Sequence, residues 1–184
     1  RGVYWYATLP GTLDERPATD QLARLRDELR DWHAPIPALL AATDPDDLLH
    51  HQITELRPPP RRFDHPVGSG GAVLVGDAAH AMTPNLGQGA CQALEDAVTL
   101  GAVLPEGTGI VAGLARYHGL RYRRTTRLIQ QSRRMALVLE MHRPTAVWLR
   151  DTMLSALPTA LATRGVTAPA RWSPPDGDGR SRTR

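Results

Sequence analysis

Two short stretches carry the residue types and spacings that could bind and orient a reactive ligand: Gly76-Asp77 and Gly87-Gln88-Gly89. Asp77 follows the apolar run Ala72-Val73-Leu74-Val75. A carboxylate just past a buried strand faces the crevice where open α/β folds hold ligands, and it accepts hydrogen bonds from ligand hydroxyls. The competing reading of Asp77 is a turn or capping aspartate. Gly87-Gln88-Gly89 opens a helix, and the free N–H groups at such a start can hold an anion or a polarised carbonyl. Two glycines let a flat ligand come close to the backbone. A tight turn before a packed helix accounts for the same residues without a ligand. The other Gly-rich stretch, Gly68-Ser69-Gly70-Gly71, precedes its strand instead of following it, so it reads as a linker rather than a phosphate cradle.

Other chemistry-bearing residues leave alternatives open. His80 lies in the loop between the two stretches and is either a catalytic base or a structural hydrogen-bonding partner. Cys91 falls in the first helical turn and is either a reactive thiol or a small packing residue. Glu95 and Asp96 are adjacent, hence about 100° apart around a helix, which argues against a paired acid and base. His50-His51 lacks the i, i+4 spacing of helical metal ligands, and no metal site is expected. Tyr4 and Tyr6 share one face of an expected strand and either line a pocket or pack in the core.

These residues need elements to position them. Residues 3–8, Val-Tyr-Trp-Tyr-Ala-Thr, read as a strand closed by Pro10-Gly11. Leu22, Leu25, Leu29 and Trp32 recur at helical spacing, with Thr19 or Asp20 as the cap. A short helical piece covers 38–42, an acidic single turn follows Asp44-Pro45, and 52–56 could form a strand. Pro58-Pro59-Pro60 forces an extended connection. Residues 72–75 read as a strand buried on both faces. The helix opened by Gly87-Gln88-Gly89 shows the apolar stripe Leu94, Ala97, Val98, Gly101 and Leu104. After Pro105-Glu106-Gly107 a long helix runs over about 109–142, interrupted by Gly113 and Gly119 and broken at Pro144. One more helix covers 145–156. Residues 174–184 have a composition expected to be disordered.

Composition sets outer bounds. The 184 residues are 41% hydrophobic and 22% charged, as in an ordinary globular chain, and no apolar run has the length of a membrane span. One cysteine excludes an internal disulfide framework and points to a cytoplasmic setting. All 22 basic residues are Arg, but the formal net charge is only +3 and aromatics are 5%, which argues against a nucleic-acid partner.

The run over residues 76–97, Gly-Asp-Ala-Ala-His-Ala-Met-Thr-Pro-Asn-Leu-Gly-Gln-Gly-Ala-Cys-Gln-Ala-Leu-Glu-Asp-Ala, strongly resembles the second flavin-contacting motif of the FAD-dependent class A flavoprotein monooxygenases, the aromatic hydroxylase family. Trp32-His33-x-Pro-Ile-Pro, the aromatics at Tyr4 and Tyr6, and Trp172 near a Pro-rich end are similar too. The resemblance implies an α/β chain: the C-terminal part of an FAD-binding domain plus part of a β-sheet substrate domain, with a helical extension. Residues 1–66 would be the partial substrate domain and 67–173 the FAD-binding part and extension. No Gly-x-Gly-x-x-Gly follows an N-terminal strand, so a C-terminal portion of the family plan is expected.

By the same resemblance, FAD is the cofactor and NAD(P)H the co-substrate, with oxygen and an aromatic or polycyclic small molecule as reactants to be hydroxylated or epoxidised. Gly76, Asp77, Pro84, Gly87, Gln88, Gly89, Ala90 and Cys91 would contact the cofactor. Asp77 would accept a hydrogen bond from its ribityl chain, Pro84 would pack beside the isoalloxazine ring, and the 87–90 amides would face the N1 and C2 carbonyl edge. The alternatives are a non-catalytic remnant that binds no FAD and a flavin-dependent halogenase or reductase of the same fold.

Overall fold

The computed structural model describes residues 2–9, 17–104 and 109–175. The expected Pro10-Gly11 turn, the 105–107 break and most of the expected tail lie outside them. The chain divides into two units, Arg1–Ile53 and Thr54–Arg184.

The first unit is built on α1 (Ala18–Glu28) and α2 (Ile36–Ala41). Leu22 and Leu40 are its buried apolar residues. Arg26, in the last turn of α1, donates from Nε to the Leu40 carbonyl at 3.0 Å, satisfying a carbonyl that the end of α2 leaves free. Asp44 accepts from the Asp46 amide and caps a 3₁₀ turn at Pro45–Asp47, as its acids suggest. Two expectations fail here. Helix α1 starts at Ala18 behind Pro17 with no side-chain cap, so neither Thr19 nor Asp20 caps it; Pro17 already fixes the entry geometry. Residues 3–8 form no strand, because no second strand lies beside them among the described residues and a strand exists only in a ladder. Tyr4 and Tyr6 are consequently 91% and 75% exposed and do not pack in a core.

The second unit begins with an antiparallel hairpin, β1 (Asp64–Val67) and β2 (Gly70–Val73), in register Asp64↔Val73 through Val67↔Gly70. The expected linker at 68–71 is therefore the hairpin tip and the start of β2. Gly68 supplies the left-handed φ of +57° for the turn. Gly71 has its own requirement: an added Cβ would lie 2.9 Å from the His65 carbonyl oxygen and 3.0 Å from Leu114 Cδ1. Strand β2 starts earlier than the apolar run and is not buried on both faces, since among the described residues it pairs with β1 alone and Ala72 is exposed. The expected strand at 52–56 is absent; the Leu56 amide instead donates singly to the Ala81 carbonyl.

Helices α3 (Asp77–His80), α4 (Gly89–Val103), α5 (Ile110–Leu139), α6 (Pro144–Ser155) and α7 (Thr159–Thr167) follow. Helix α5 runs without interruption for 30 residues. Gly113 does not break it, because the absent side chain makes room for Leu104 and the Val103 carbonyl at the end of α4. The core gathers Phe63, Ala79, Val103 and Tyr117, with Val73, Leu74, Leu100, Leu120 and Tyr122 packed around them. Phe63 meets His118 and Tyr122 edge-on at centroid distances of 5.8 and 5.6 Å, a favoured aromatic geometry. No helix among the described residues is long and apolar enough to cross a membrane.

Candidate functional site

Gly76 makes the turn from the end of the hairpin into α3. Its φ of +56° and ψ of −140° suit a residue without Cβ, and its carbonyl accepts from the Ala79 and His80 amides, both at 2.9 Å. Asp77 is the first residue of α3, with its side chain exposed. A Cβ on Gly76 would sit 3.6 Å from the Ala93 Cβ, so this turn lies beside the opening turns of α4.

Residues 81–88 carry the chain to α4 and are tied down from α5. Ser132 donates to the Thr83 carbonyl at 2.6 Å, and its hydroxyl lies 2.7 Å from the Thr83 hydroxyl. Arg133 pairs with Glu55 at 2.7 Å and donates to the Leu56 carbonyl at 2.8 Å, beneath the Leu56–Ala81 bond. A 3₁₀ turn at Pro84–Leu86 ends in Gly87, left-handed at φ +61°. Helix α4 then begins at Gly89 with no side-chain cap, and its first backbone bond is Gln92 N–H to the Gln88 carbonyl. The Gly87 amide donates to the Pro84 carbonyl at 2.8 Å, whereas the amides opening α4 from Gly89 have no side-chain acceptor. At both Gly87 and Gly89 an added Cβ would meet nothing within 4 Å, so open space lies before this backbone. Pro84, Ala90 and Cys91 are exposed beside it. Gly76, Asp77, Pro84 and 87–91 thus belong to one turn–helix–loop–helix stretch with open approach.

Behind this stretch stands a buried ionic cluster. Asp96 accepts from the Gly76 amide at 2.8 Å and lies 2.6 Å from His80 Nε2 through one oxygen, while the other accepts from Arg121 Nε at 2.7 Å. Glu95 accepts from Arg121 Nη1 and, at 2.7 Å each, from Arg124 Nε and Nη2. Arg121 Nη2 also donates to Gln92 Oε1 at 2.8 Å and to its carbonyl at 3.1 Å. Two carboxylates and two guanidiniums balance, and most of their donors and acceptors are used, which is what allows such groups out of water. Burial alone would raise the Asp96 carboxyl, but the bonds from His80, Gly76 and Arg121 outweigh it and hold it below 3.8. Burial pushes the Tyr117 hydroxyl well above its usual range, helped by the Asp96 charge; this hydroxyl donates to the Leu74 carbonyl.

From the sequence, Glu95 and Asp96 are set aside as a paired acid and base, and nothing local assigns Arg121 or Arg124 a partner. The available signal was Arg at i and i+3 on α5 opposite adjacent acids on α4. It becomes legible only when the two helices are known to face each other. The expected apolar stripe of α4 is correspondingly overturned: Leu94 is 69% and Val98 46% exposed, while Gln92, Glu95, Asp96, Thr99 and Val103 are buried. His80, fully buried against Asp96, has the structural hydrogen-bonding role that was one of its two readings. Among the described residues, no group of three or more His, Cys, Asp or Glu side chains is arranged to hold a metal ion.

Comparison with known proteins places this geometry. The chain is 36% identical over 152 residues to the aurachin C monooxygenase/isomerase of Stigmatella aurantiaca, covering 83% of this chain and 38% of that protein. It is 37% identical over 126 residues to the FAD-dependent urate hydroxylase of Klebsiella pneumoniae, covering 64% of this chain and 32% of the other. The crystal structure of Klebsiella pneumoniae HpxO complexed with FAD and uric acid superposes with a TM-score of 0.75 at 28% identity, over 88% of this chain and 40% of that one. The chain therefore spans well under half the length of these relatives and shares the α/β flavoprotein hydroxylase fold over that part. The FAD binding domain model matches residues 18–132, which include the Gly76 turn, the Gly87 loop, α4 and the buried cluster; the chain belongs to the FAD binding domain family.

Proposed function

We propose that this chain forms the flavin-edge half of an FAD site in a monooxygenase that uses NAD(P)H and oxygen to hydroxylate or epoxidise an aromatic or polycyclic small molecule. Residues 67–173 belong to the FAD-binding domain and its helical extension, and residues 1–66 to the substrate domain. A cytoplasmic setting accords with the single, unpaired Cys91. The relatives support the reaction class: one is a monooxygenase/isomerase and another a urate hydroxylase.

The observation that carries the reading is the uncapped start of α4 facing open space, with the exposed Asp77 carboxylate beside it. This donor set fits a flavin. Asp77 would accept from a ribityl hydroxyl and Pro84 would pack beside the ring; of the 87–90 amides, that of Gly87 already donates to the Pro84 carbonyl, so those of 88–90 would point the positive helix end at the pyrimidine edge. Bound FAD would supply hydride acceptance and oxygen activation, chemistry that no side chain here provides. The protein's own part is positional and electrostatic. Gly87 and Gly89 keep the approach clear, and the α4 amides stabilise negative charge that grows at the ring edge on reduction, so they act on the reaction and not only on binding. Asp96 fixes the Gly76 turn, and through it Asp77, from behind.

Two measurements test this in the protein that carries the chain. Asp77→Ala should weaken FAD binding by about 1 to 3 kcal/mol, the range for losing a partner of a buried polar group, read from flavin fluorescence. Gly89→Pro removes an N–H and restricts the backbone, so anaerobic titration should show a lower flavin potential even where FAD stays bound. An unchanged affinity and an unchanged potential together would refute the site.

A further inference from the structure

A groove adjoins the buried cluster, whose Arg121 and Arg124 also line it. Helix α5 and the segment over residues 168–175 enclose this groove of about 770 Å³, within the usual range for small-molecule sites. Arg123 and Arg127 reach it from α5, while Arg171 and Trp172 reach it from the C-terminal segment. The segment is fixed in place. Arg124 Nη2 donates to the Pro169 carbonyl at 2.7 Å, Pro169 is buried, and the Arg171 and Trp172 amides donate back to Ala168 and Ala170.

Among the described residues the charge here is uncompensated. Arg121 and Arg124 are neutralised by Glu95 and Asp96, but no carboxylate pairs with Arg123, Arg127 or Arg171 among the described residues, and no acidic residue is in the groove lining. Arg123 and Arg127 stand at i and i+4, side by side on one helix face, where like charges repel unless an anion lies between them. Guanidinium forks match phosphate oxygens two at a time, and the half-buried Trp172 indole offers a flat surface for a planar ring.

We infer that this groove binds a nucleotide carrying a diphosphate, its phosphates on Arg123, Arg127 and Arg171 and its base against Trp172. The site is separate from the α4 flavin-edge site and does not depend on that reading.

Titration of the chain at low ionic strength with ADP, NADP⁺ and inorganic pyrophosphate, by calorimetry and by tryptophan fluorescence, tests it. Saturable binding of ADP or NADP⁺ that quenches Trp172 supports the assignment, and the tighter of the two shows whether a mononucleotide or a dinucleotide is the ligand. Joint replacement Arg123→Gln with Arg127→Gln should weaken that binding by about tenfold or more, the scale of charge-assisted bonds. Arg171→Gln, outside any helix, should also weaken it and guards against a folding defect in the double variant. Arg134→Gln, the same charge change on α5 outside the groove, should leave affinity within about twofold. Trp172→Leu should abolish the advantage of ADP over pyrophosphate. No saturable nucleotide binding, equal loss in Arg134→Gln, or pyrophosphate binding as tightly as ADP would overturn the proposal.

Discussion

The two faces of α4 reverse the usual distribution of polar and apolar residues. The face turned to α5 carries Gln92, Glu95, Asp96 and Thr99 and is buried; the opposite face carries Leu94 and Val98 and is exposed. Hydrophobicity ranks the faces the wrong way, because a carboxylate with an Arg121 or Arg124 fork on it is a satisfied group and a leucine with no neighbour gains nothing. What decides burial is the partner on the facing helix. The buried face also has a task the exposed face lacks, since Asp96 holds both Arg121 on α5 and the amide of Gly76, one residue from Asp77.

The sharpest way to break this contrast is to remove the shared cation. Arg121→Met leaves Asp96 and Glu95 short of a counter-charge in a buried site and should cost about 3 to 5 kcal/mol in urea unfolding. Adding Asp96→Asn to it should recover part of the loss, as expected for coupled groups. A cost below about 1 kcal/mol would show that the cluster is solvated and the face not truly buried. Asp96→Asn alone should cost less, about 1 to 3 kcal/mol at neutral pH. Its pH dependence follows from the sign of the shift. The folded-state carboxyl is held below 3.8, so its stabilisation is fully present above that value and is lost as pH falls through the lower folded value. The stability gap between the native chain and Asp96→Asn should therefore be constant from neutral pH to about 5 and close below about pH 4. A gap that stays open in acid would mean that the amide substitution acts by distorting the Gly76 turn.

The same contrast explains what could be read from the residues alone. Helix α5, the acidic 3₁₀ turn and the start of α4 were legible, because caps, prolines and spacing are local signals. The resemblance over 76–97 was legible because it is contiguous. Strand identity at 3–8 and 52–56 was not, since pairing depends on a neighbour that no local pattern reveals. Gly68-Ser69-Gly70-Gly71 reads equally well as a linker or a hairpin tip until Asp64 is known to face Val73. Arg121 was hidden for a related reason: an arginine at a helical spacing looks solvated until two acids 25 and 26 residues away are placed against it.

The smallest expected effect lies on the exposed face of α4. Leu94→Ser removes a side chain that has little to pack against, so unfolding stability should change by no more than about 0.5 kcal/mol, as at ordinary surface positions. Val103→Ala on the same helix empties a fully buried position and should cost about 1 to 3 kcal/mol. The pair compares two apolar truncations on one helix, so propensity differences are minor beside burial. Leu94→Ser should also lower concentration-dependent self-association in sedimentation velocity, because Leu94 and Val98 together present an apolar patch to water. If Leu94→Ser destabilises as much as Val103→Ala in the dilute chain, the Leu94 face is packed in solution, and polarity of the facing helix no longer accounts for which side of α4 is buried.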